Sequence, residues 1–228
     1  MPSSSPGPWV DAWLSAPRFD TYVTAAGDRG RGLDLYEWNA AVSAAVLHDL
    51  AHLEVALRNV YDRALSVAAT PGGRHWTAVP QLHFGPVIKR ASGGSTYDAN
   101  DKPRQQIAYA MRVAGGPSAP PGKVIVELSF GFWRYLSTSA HEAPLWLPHL
   151  RHGFVPGTSR RAVDQPVTRL HLLRNRVAHH EPLLTANLAG RHADVVSLAS
   201  LISPDLSAHV DATSTWLTVL SQRPGREG

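Results

Sequence analysis

The sequence predicts an all-α fold, a helical bundle carrying a long irregular insertion, and three observations support this. Apolar residues recur at three- and four-residue steps in several stretches. No convincing period-two alternation and no Asn-Gly hairpin signal is present. Gly and Pro, 18 of each in 228 residues, are concentrated between about 70 and 122, where the helical pattern collapses. With 43% hydrophobic and 18% charged residues, the chain reads as a single globular domain over residues 1–228, the insertion at about 70–122 included.

The elements follow in order. After a Pro/Ser-rich start, Ser15 is placed to cap a short helix containing Pro17, with Phe19, Tyr22 and Val23 as its apolar stripe and Gly27 at its end. Gly27 to Gly32 reads as a turn. Leu35, Trp38, Val42, Val46, Leu50, Leu53, Leu57, Val60 and Ala64 then mark one face of a long helix over about 34–68. Within the insertion one further helix is expected near 103–113. Structure resumes after Pro121, where Val124, Leu128, Phe132 and Leu136 fit a helix that tolerates Gly131. A short segment around Trp146 leads to a helix capped by Ser159, with Val163, Val167, Leu170, Leu173 and Val177 on its stripe, ending just before Pro182. Segments at 192–202 and 206–220 close the bundle.

Composition removes several chemistries. The chain has no cysteine, so disulfides, thiolate zinc sites and cysteine nucleophiles are excluded. No stretch approaches the roughly 18 to 20 uninterrupted apolar residues of a membrane span, and residues 1–8 lack the features of a signal peptide, so a cytoplasmic location and no membrane partner are expected. Lys89, Lys102 and Lys123 are the only lysines, leaving 19 arginines in a net charge of +4. Guanidinium forks suit bidentate phosphate contacts, although biased genomic base composition produces the same imbalance.

The cluster that could carry chemistry is Leu172-Leu173-Arg174-Asn175-Arg176-Val177-Ala178-His179-His180-Glu181-Pro182. Asn175 and His179 are four apart, about 40° around a helix axis, so both project from one surface. Arg174 lies about 100° from Asn175 on the flank, within reach of a phosphate held over that surface. Histidine titrates near neutral pH and arginine neutralises phosphate. RNA cleavage needs little more, because the substrate supplies its own 2′-hydroxyl nucleophile. A terminal histidine that merely caps helix carbonyls explains the same spacing structurally.

Arg174-Asn175-Arg176-Val177-Ala178-His179 resembles the signature of the HEPN superfamily. Leu33-Asp34-Leu35-Tyr36-Glu37-Trp38-Asn39, Leu53-Glu54-Val55-Ala56-Leu57-Arg58-Asn59, Glu127-Leu128-Ser129-Phe130-Gly131-Phe132-Trp133 and Leu173 to Pro182 resemble its Abi-like (abortive infection) branch in order and spacing, over about residues 10–200. The resemblance implies a HEPN-like helical bundle and a homodimer whose facing signature helices form one composite site. It further implies ribonuclease activity that needs no metal or cofactor and is tied to phage defence or growth arrest, with an antitoxin or regulatory protein as a further partner. Arg174, Asn175 and His179 are the site residues it implies. Members without nuclease activity act as RNA-binding or protein-interaction modules.

Secondary candidates surround this core. Glu54 and Arg58 have the spacing of an i,i+4 ion pair. Alternatively, their edge of the long helix faces the signature helix, with Glu54 orienting an arginine and Arg58 or Asn59 meeting RNA. His171 continues the row through Asn175 and His179; otherwise it is an ordinary surface histidine. Arg176 is a further RNA-binding candidate, and His180 could replace His179 as base if the helix end unwinds. His48 and His52 share a face without a readable third metal ligand. Phe130, Phe132, Trp133, Tyr135 and Trp146 could stack on bases, but core packing explains them more simply. Arg151, Arg160, Arg161 and Arg169 could track a nucleic-acid backbone or form a solvated basic face.

Overall fold

The computed structural model describes residues 6–67 and 71–225 and is all-α apart from one small hairpin. Residues 1–5 of the Pro/Ser-rich start, and residues 68–70, where the long helix was expected to end and the insertion to begin, lie outside the described residues. The chain opens with an unanticipated helix α1 (Trp9–Leu14), whose Val10 and Leu14 pack on Phe19 of α2 (Ala16–Ala26). Ser15 occupies the N-cap position of α2, but at φ 66 its hydroxyl makes no capping bond.

The long helix α3 (Arg29–Val67) starts five residues earlier than the pattern predicts, and the expected turn shrinks to Gly27 and Asp28. Gly32 is helical although α2 passes against it: a Cβ there would meet the Val23 backbone at 3.1 Å. Close approach of two backbones outweighs glycine's poor helix propensity. Leu35, Val42, Val46, Leu50, Leu53, Leu57 and Val60 of α3 are all buried. They pack against α2, against α7 (Arg160–Ala178), against α8 (Leu188–Ile202) and against α10 (Trp216–Ser221). By length and by a mean hydropathy of 1.4 over 18 residues, α3 would also reach across a bilayer; core helices pass the same test.

The insertion is ordered, which corrects the expectation of irregular structure without a hairpin. It holds single 3₁₀ turns at Trp76–Ala78 and Pro80–Leu82, an antiparallel hairpin of β1 (Ile88–Arg90) and β2 (Thr96–Asp98), and α4 (Asp101–Val113) near the expected position. The hairpin reverses over residues 91–95, where Gly94 at φ 83 takes the left-handed conformation that side chains resist. Trp76, Phe84, Ile107 and Ala110 are fully buried in the same cluster as the α3 stripe, so the insertion shares the main core.

Beyond it, the expected helix after Pro121 is two, α5 (Pro121–Val126) and α6 (Phe130–Leu136). The break comes where Ser129 Oγ caps α6 by accepting the Phe132 amide at 3.4 Å, while Trp133 Nε1 donates to Leu128 O at 3.1 Å. The Trp146 segment is a run of short 3₁₀ and π turns, and α7 then begins after Ser159, whose Oγ accepts the Ala162 amide at 3.2 Å. After α8 the last predicted segment is also divided, into α9 (Pro204–Thr213) and α10. Between them Ser214 is extended and donates its hydroxyl to the buried Asp49 carboxylate at 2.6 Å. A tertiary hydrogen bond thus ends a helix that local periodicity would have continued.

Candidate active site at the end of the signature helix

The α7 helix stops at Ala178, three residues before the expected limit. His179 is its C-cap, and His180 at φ 54 occupies the left-handed position that follows. The Glu181 amide donates to Arg176 O at 2.8 Å and the His180 amide to Val177 O at 2.9 Å, the paired bonds of a Schellman motif. Side chains from elsewhere tie down the chain as it leaves. Arg18 of α2 donates to His180 O, Arg176 to Pro182 O, Arg223 to Leu184 O at 2.9 Å, and the Leu183 amide to Asn39 Oδ1 at 2.7 Å. Arg176 also pairs with Glu181 at 3.3 Å. Its guanidinium therefore holds the turn together instead of standing free for RNA.

Within this fixed frame, Arg174 and Asn175 are half-buried and His179 is exposed. None of the three side chains makes a hydrogen bond or ion pair among the described residues. The neighbouring arginines of the helix differ: Arg160 is bound to Glu142, Asp164 and Ser137 O, and Arg169 to Asp194. Two members of the proposed basic face are therefore neutralised by carboxylates. Arg174 keeps its charge available.

Across from it, Glu54 of α3 lies near enough to Arg174 for the two charges to interact. Burial pushes the Glu54 carboxyl above its ordinary range, and the charges of Arg174 and Arg58 partly offset this. Among the described residues no ion pair closes between Glu54 and either arginine, so the i,i+4 pair is not formed. The Arg58 Nε is buried without a hydrogen-bond partner. Asn59 is half-buried nearby on α3 and makes no hydrogen bond among the described residues.

Comparison with family models, with curated proteins and with solved structures finds no match for this chain.

His171 is half-buried, not a free surface residue, and packs on the start of α6, where a Cβ on Gly131 would come within 3.2 Å of its Nε2. Burial, with the Arg134 and Arg174 charges beside it, lowers its pKa from the ordinary histidine value. Arg134 was overlooked in the sequence; it lies one residue beyond the aromatic motif at 127–133 and donates to Thr168 Oγ1 at 3.2 Å. His180 contributes its backbone to the turn while its ring is exposed. Phe130, Phe132, Trp133 and Trp146 are buried, which excludes base stacking, and Tyr135 is half-buried with its hydroxyl bonded to Ala99 O. His48 and His52 gain His209 as a neighbour, yet among the described residues no group of three or more His, Asp or Glu is arranged to hold a metal ion.

Proposed function

We propose that this chain is a metal-independent endoribonuclease of the HEPN type, acting as a toxin in abortive infection or growth arrest. The observation that carries this reading is that Arg174, unlike Arg160, Arg169 and Arg176 of α7, has no carboxylate partner among the described residues and lies half-buried beside Asn175, itself one turn from His179. In this reading His179 takes the proton from the 2′-hydroxyl as its oxygen forms the new bond to phosphorus. The P–O5′ bond breaks, the leaving oxygen takes a proton from a second histidine, and the products are a 2′,3′-cyclic phosphate and a free 5′-hydroxyl. Arg174 neutralises the charge that builds on the phosphorane, with Asn175 positioning the phosphate and Arg58 adding a second cation.

The second histidine would come from a second copy. On α3, Ala40, Ala44, Leu47, Ala51 and Val55 form an exposed apolar row beside Glu54, and Leu172 of α7 is 60% exposed. A partner seated on this row would bring two signature helices together about a two-fold axis. Incubating the protein with RNA in chelator tests the reading: cleavage that His179→Ala abolishes is expected, and cleavage indifferent to that change would refute the assignment. One observation favours the alternative of a non-catalytic RNA-binding or protein-interaction module: among the described residues no group hydrogen-bonds the His179 ring to orient it, as a general base normally requires. RNA binding by a purely monomeric protein without cleavage would support that alternative.

A further inference from the structure

Beside the signature row, and lined by none of Arg174, Asn175 or His179, lies a cavity of about 720 Å³. Its walls are the insertion on one side and α6 with His171 on the other, and Lys89, Tyr97, Lys102, Arg134, Tyr135 and His171 line it. Two of the chain's three lysines are here. Neither lysine nor Arg134 is paired with a carboxylate among the described residues. The one lining acid, Asp98, is fully engaged: Arg104 binds one oxygen, and the Val87 and Asn100 amides donate to the other at 2.8 and 3.0 Å. The cavity is therefore cationic.

Its aromatic component is placed by the hairpin register. Lys89 of β1 pairs directly with Tyr97 of β2, so an ammonium and a phenol ring stand side by side on one face. Tyr97 is 51% exposed, while Tyr135 fixes the hairpin to α6 through its bond to Ala99 O. Unpaired point charges select an anion and an open ring face selects a planar group. The volume lies within the roughly 300–1,000 Å³ of small-ligand sites.

We propose that this cavity binds a nucleotide, its base stacked on Tyr97 and its phosphate held by Lys89, Lys102 and Arg134. The nucleotide is either free or one unit of an RNA strand that continues past His171 toward Arg174. Only the second source rests on the nuclease reading.

Calorimetric titration of the full chain with the four nucleoside 5′-monophosphates, and with a 2′-O-methyl octanucleotide that cannot be cleaved, separates the two. The variants are Tyr97→Ala and the pair Lys89→Gln/Lys102→Gln, with thermal melts confirming that each is folded. Saturable monophosphate binding, weakened about tenfold or more by Tyr97→Ala and less salt-dependent in the lysine variant, supports the free-nucleotide source. Octanucleotide binding alone with the same sensitivities supports the RNA source. Binding of neither probe, or binding that both folded variants retain at full strength, overturns the proposal. His179→Ala is expected to retain monophosphate binding, so failure of the catalytic assignment and failure of this site are distinguishable.

Discussion

Asn39 Oδ1 accepts the Leu183 amide at 2.7 Å across 144 residues of sequence, both groups buried. This bond joins the first of the four resemblance motifs to the residue just after the last, and it holds the chain where it leaves the signature helix against α3. In Asn39→Ala the Leu183 N–H is left buried without a partner, which costs about 1–3 kcal/mol. Urea denaturation should show that loss, with Asn39→Asp losing less because it keeps an acceptor. RNA cleavage should fall with Asn39→Ala even at temperatures where the chain remains folded, since the turn after His179 is loosened.

Arg174 and Arg176 are separated by one residue and have opposite roles. Arg174→Ala breaks no hydrogen bond or ion pair among the described residues, so stability should hold to within about 0.5 kcal/mol while the cleavage rate drops by about 10²–10³-fold. Arg176→Ala loses its bonds to Pro182 O and Glu181, so unfolding free energy should drop by about 1 kcal/mol with a much smaller loss of rate. Melts and single-turnover cleavage on the two variants check the contrast; matching profiles would remove the distinction.

His180 holds a left-handed backbone conformation at φ 54, which costs a residue with a Cβ about 1 kcal/mol relative to glycine. His180→Gly should therefore raise the melting temperature. It should leave cleavage intact if His179 alone is the base, and abolish it if His180 acts instead.

Acid should weaken the fold through its buried histidines. His83 is 6% exposed, and burial, helped by the nearby His149, pushes its pKa from about 6.5 to about 4. Burial lowers His141 and His149 as well. Between those two pH values the unfolded chain holds a proton on His83 that the folded chain lacks, so stability declines as pH falls through that window and the loss levels off below it. The His83 displacement corresponds to about 3 kcal/mol. Urea midpoints measured from pH 7.5 to 4 should fall, and His83→Asn should flatten that slope.

The features legible in the sequence are those that one helix decides by itself. The α3 stripe, the Ser159 cap and the row through His171, Asn175 and His179 follow from a 3.6-residue period and local capping chemistry, and the fold reproduces them. The hairpin was hidden because its strands are three residues each and turn through Ser92, Gly93 and Gly94 with no Asn-Gly pair. The early start of α3 was hidden because Gly30 and Gly32 read as a turn unless one knows that α2 lies against Gly32.

The sequence by itself determined an all-α chain, the presence of Arg, Asn and His at helical spacing, and the absence of any thiol. Tertiary structure decided which arginines of α7 are held by carboxylates. Arg160, Arg169 and Arg176 share the composition and helix of Arg174, and only the positions of Glu142, Asp164, Asp194, Glu181 and the Pro182 carbonyl set them apart. It also decided that Glu54 comes near Arg174 and that two lysines from the insertion share a cavity with Arg134. The physical reason is one of range: periodicity and capping act within a few residues, whereas neutralisation of a charge depends on which carboxylate the folded backbone brings within a few ångströms of it.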